Sequence, residues 1–146
     1  MTEQPLYNLD GYLQCLRRLS DNKCDYWAEV IEISDDVESS FRKHISGLGV
    51  KLVNCEAAGY REIEELLKND FGSSLKELEE TSIKLFVWDV VEYIQMAFRD
   101  IKPELDPIHK RQSFIAGAQS EFHGDYSYVV VPVKGKAIVV GAATRA

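Results

Sequence analysis

The chain has 146 residues, of which 45% are hydrophobic and 10% aromatic, enough apolar surface for one core and too much for a disordered segment. Its formal net charge of −7 works against direct binding to phosphate backbones. The longest apolar runs, "YVVVPV" and "AIVVGAA", are too short to cross a bilayer, and "MTEQPLYNLDGY" lacks the basic and apolar regions of a signal peptide, so the cytoplasm is the expected location.

In chain order, Leu9, Tyr12, Leu13, Leu16 and Leu19 fall on one helical stripe and predict a first helix over 9–20. The segment "CDYWAEVIEIS" fits neither a period of 2 nor one of 3.6, which leaves strand and helix both open. Ser34 and Asp35 offer N-caps to a helix carrying Val37, Phe41 and Ile45, with Glu38 three residues after Asp35 as in a capping box, and Gly47 and Gly49 end it. "VKLVNC" predicts a short buried strand. Ile63, Leu66 and Leu67 mark the core face of a helix from 60 to 69. Ser74 and Glu77 form a second capping box, opening a short helix with Leu75 and Leu78 inward.

"IKLFVW", residues 83–88, predicts a central strand. Asp89 and Glu92 then open a helix with Val91, Ile94, Phe98 and Ile101 on one stripe, stopped by Pro103 and Pro107. A further helix is expected around Ile108 to Ala118. At the end, "YSYVVVPV" and "KAIVVGA" flank Lys134–Gly135 as a β-hairpin, and Pro132, which cannot donate to a ladder, should face an edge or a bulge. The expected fold is therefore one α/β or α+β domain spanning 1–146, with helices packed on a small mixed sheet and a C-terminal hairpin.

Chemistry-bearing motifs are few. Cys15, Cys24 and Cys55 are an odd number in no metal-like spacing and read as buried thiols. Neither a zinc-protease motif nor a phosphate loop occurs, so no metal and no cofactor is expected. His123 and Asp125 in "FHGDY" could act as base and orienter, although the same residues are ordinary turn chemistry. His44 lies near a helix C-terminus, and His109 in a surface segment.

The charge is uneven. Residues 56–80 hold eight acids against Arg61, Lys68 and Lys76. Arg61 with Glu65, Glu64 with Lys68 and Lys76 with Glu80 stand at i,i+4 and support a helix locally. Glu56, Glu62, Asp70, Glu77 and Glu79 have no such partner. These acids, with Glu80 and Phe71, form the expected binding face for a basic protein.

"KLVNCEAAGYREIEELLKNDFGSSLKELEE" followed by "IKLFVW" resembles the segment order of the barstar-like ribonuclease inhibitors: strand, helix, an aromatic-Gly turn, a short acidic helix, then a strand ending in Trp. The likeness spans about forty residues, roughly 51–88, and "FGSSLKEL" stands where the family carries aromatic-Gly-x-Asn-Leu-Asp-x-Leu. Ser74 replaces the family's Asn, Lys76 stands at its principal acidic position, and Glu80 matches the second. The first fifty residues and the terminal hairpin have no counterpart there. The resemblance implies an inhibitor whose acids occupy a nuclease's phosphate pocket.

The leading expectation is a non-enzymatic immunity or antitoxin-like inhibitor of a basic toxin, plausibly a nuclease. The alternatives are a small enzyme built on His123 and Asp125, and an adaptor subunit pairing through an edge of the hairpin.

Overall fold

A computed structural model of the chain describes residues 8–14, 24–71, 85, 88–90, 92–93, 108, 110–120, 124–133 and 135–144. Among these residues five strands form one sheet in the order β1-β5-β4-β3-β2, and every neighbouring pair is antiparallel. They are β1 (Cys24–Glu32), β2 (Lys51–Ala58), β3 (Ser113–Ser120), β4 (Gly124–Val133) and β5 (Lys136–Thr144). The expected α+β domain stands, but the sheet is not mixed.

β1 and β2 lie on opposite edges and run the same way, since four antiparallel steps separate them. Helix α1 (Val37–Gly47) connects them across one face of the sheet. Its eleven residues span about 16 Å, against about 19 Å for four strand spacings. The meander β3-β4-β5 fills the gap between the two outer strands.

Strand β1 resolves the ambiguous segment. Tyr26 faces one layer of the core while Trp27 and Ile31 face the other. Both faces are covered, which is why the segment shows no clean alternation. On the first face lie Val129, Val131, Ile138 and Val140, packed under Leu9 and Leu13 of the helical residues 8–14, Ile63 of α2 (Tyr60–Leu66) and Val90. On the second, Phe41 and Ile45 of α1 pack on Phe114, Tyr128, Val130 and Val139.

The N-cap of α1 is Asp36, one residue later than expected, and it accepts from Ser39 N at 2.8 Å. Gly49, at φ 77, closes the helix: its N–H donates to Ser46 O, and Val50 N–H donates to Ile45 O. Only a residue free of Cβ takes this left-handed backbone without strain. The hairpin is as expected. Val133 pairs with Lys136 around Gly135, at φ 82. Pro132 lies past Val130, the last β4 residue paired with β3, where no ladder needs its missing N–H.

Three expectations are corrected. Leu85 and Trp88 are helical and exposed, so neither belongs to the expected buried strand ending in Trp; the other residues of 83–88 lie outside the described residues. Ser113–Ser120 is strand β3 rather than a helix continuing to Ala118. Ala116 and Ala118 are buried in the layer of Phe41 and Tyr128, and Gly117 lies against the Asn54 side chain, so packing overrides helix propensity. β2 is an exposed edge rather than a buried strand: Lys51, Val53, Asn54 and Glu56 face solvent.

The two edges are finished differently. On β1, the outward backbone groups at Tyr26 and Ala28 are closed by residues 8–14: Gln14 Nε2 donates to Tyr26 O at 3.0 Å, and Ala28 N donates to Asp10 Oδ1 at 3.2 Å. β2 instead carries a register shift between Leu52 and Asn54. A bulge and charged residues are the usual defences of an open edge. Both strands of the hairpin are interior to the sheet, so neither of them is an open edge.

Candidate functional site

The bulge in β2 shapes the cleft beside it. Asn54 Oδ1 accepts from Gly117 N at 2.8 Å, so a side-chain amide closes the ladder at the register shift. A Cβ on Gly117 would stand 3.0 Å from that oxygen, tighter than the ladder tolerates without a shift. The close approach leaves a concavity of about 280 Å³ between β2, β3 and α2, lined by Glu56, Glu62, Glu65, Asn69 and Asn54 over a floor of Ile115.

Of the expected binding residues, Glu56 and Glu62 meet at this cleft. Asp70 and Phe71 close the π-helical turn Leu67–Phe71 that continues α2. Glu77, Glu79, Glu80 and the helix of Leu75 and Leu78 lie outside the described residues, as does His123.

Glu62 is not unpartnered. Arg111, brought from the chain segment before β3, pairs with it through Nη1, and the Gly59 N–H donates to its other oxygen at 3.3 Å. The Arg111 hydrogen bond is the main cause that holds the Glu62 carboxyl below the usual range. Glu65 also lines the cleft, while its local partner Arg61 stands 3.7 Å away and is largely solvated. Such an exposed pair is worth little and leaves the carboxylate available. Glu56 makes no ion pair among the described residues.

Among the described residues the cleft offers carboxylates and amides, acceptors for cationic donors, and no nucleophile. Cys55, on the opposite side of β2, has its thiol pushed up to about 12 by burial and then by the Glu38 carboxylate, so it stays protonated and unreactive near neutral pH. Asp125 is exposed on β4 and accepts from Gln119 Nε2 at 3.2 Å, an ordinary cross-strand contact.

A second concavity, of about 390 Å³, opens on the other face beside the C-terminus of α1. Trp27, Tyr126 and Tyr128 supply three rings: the indole is edge-on to both tyrosines at 6.2 and 6.0 Å, and the tyrosines stack at 6.0 Å. Glu29 and His44, which form a pair, stand at its rim with Leu48. Burial, with Tyr126 and Glu29 nearby, pushes the Tyr128 phenol up well beyond the usual range. None of these residues was expected as a site. Trp27 with Glu29, and Tyr126 with Tyr128, are same-face pairs of a strand, but that spacing carries meaning only once 24–32 is known to be one.

Compared with family models, with curated proteins and with solved structures, the chain matches none.

Proposed function

We propose that the chain is a non-enzymatic binding protein that captures a basic protein partner on the face formed by β2, β3 and α2, and blocks it as an immunity or antitoxin protein does. The observation that carries this reading is the convergence of Glu56, Glu62 and Glu65 on one open cleft beside the exposed edge. The bulge between Leu52 and Asn54 works against strand addition, so the contacts run through side chains. A nuclease suits such a surface, because its own groove is lined with lysine and arginine for phosphates and would accept carboxylates in their place. The surplus of acids over 56–80 would speed the encounter from a distance.

The test is association kinetics with immobilised basic nuclease domains and with the product of the preceding gene. Wild type should bind at least one of them. Glu56→Lys with Glu65→Lys should slow that association, within the roughly 10–10³-fold that electrostatic steering supplies. A double variant that associates as fast as wild type at low salt would refute the acidic-face reading.

A further inference from the structure

We infer that the concavity on the opposite face is a second binding site, which receives an arginine side chain presented by another protein. Trp27 and Tyr126 are only half-buried and line this concavity, so although the indole also lies against Gly141 and Tyr126 stacks on Tyr128, part of each ring is open to a ligand. Aromatic faces attract a cation through their quadrupole, and a planar guanidinium can also stack on an indole. Glu29 supplies the counter-charge at the rim: His44 engages its Oε1, and Oε2 remains to accept from the guanidinium.

An aliphatic ligand would not need Glu29, and an anion would be repelled by it. Arginine uses both features at once, its stem lying on apolar wall and its head between indole and carboxylate. A protein source follows from Leu48, which is 65% exposed at the rim and offers apolar contact beyond the reach of one side chain. This site shares no residue with the acidic cleft, and its test stands whether or not the basic-partner proposal holds.

The experiment follows the Trp27 indole N–H by NMR, assigned by its loss in Trp27→Phe, during titration of the intact chain with a blocked Gly-Gly-Arg-Gly-Gly peptide. Its citrulline counterpart, equal in shape without the charge, and blocked arginine alone are titrated in parallel. The arginine peptide should give a saturable shift with a dissociation constant on the order of 1 mM, the range of one side chain's contacts. The citrulline peptide should give none, and Glu29→Gln should weaken the arginine peptide by about tenfold. Equal shifts from both peptides, or no saturation with arginine, would overturn the proposal. Blocked arginine binding as tightly as the peptide would overturn the protein source and point to a small guanidinium ligand.

Discussion

Arg111 Nη1 donates to Glu62 across 49 positions of sequence, and the guanidinium stem lies over Gly59, where an added Cβ would stand 3.1 Å from Arg111 Cγ. The contact ties the start of α2 to the segment entering β3, and so holds one wall of the acidic cleft. Arg111 reaches it from a left-handed backbone, φ 56, after a turn in which its N–H donates to Ile108 O.

The pair predicts an acid-dependent stability. The folded carboxyl of Glu62 titrates below its ordinary value, so its contribution is present above about pH 4.5 and is lost as pH falls through the folded pKa. Asp36, lowered chiefly by its cap bond from Ser39, acts in the same direction. Urea midpoints measured against pH should therefore fall in acid for wild type and fall less for Glu62→Gln. Identical acid limbs would mean that the pair adds nothing. At position 111, Gly should be more stable than Ala by about 1 kcal/mol, because the left-handed backbone strains any side chain.

Gly141 should not tolerate a side chain. It sits between Trp27 and Tyr128 in the sheet, and an added Cβ would lie 2.5 Å from Trp27 Cζ2. Gly141→Ala should cost about 1–3 kcal/mol by overpacking. With Trp27→Leu the two losses should be less than additive in denaturant titrations, since the clash is between these two residues.

Unsealing β1 should create a sticky edge. Asp10→Ala and Gln14→Ala each remove one side-chain hydrogen bond to strand backbone, at about 1 kcal/mol. The variants should also associate with rising concentration in sedimentation runs, as an open strand edge does. Sedimentation unchanged from wild type at every concentration would show that residues 8–14 do not guard the edge.

Amide exchange should be slowest in β4 and β5, at Val129–Val131 and Ile138–Val140, all fully buried. Leu85 and Trp88, helical and more than half exposed, should exchange faster. The reverse order would place the most stable unit elsewhere.

Local chemistry alone determined the hairpin about Lys134–Gly135, the helix ended by Gly49 and the helix carrying Ile63, because turn glycines, caps and apolar spacing act over a few residues. Tertiary structure decided the rest. The apolar run 83–88 matches a buried strand in composition, yet Leu85 and Trp88 are helical; short apolar runs do not distinguish the two by period. Segment 113–120, weak in either pattern, became β3 because Ala116 and Ala118 fit into the layer of Phe41 and Tyr128 while Gly117 admits the Asn54 side chain. The pairing of Glu62 with Arg111 and the gathering of Trp27 with Tyr126 each join residues far apart in the chain. No spacing rule reaches that distance: such contacts follow from which strands neighbour one another, and the C-terminal meander lies between β1 and β2.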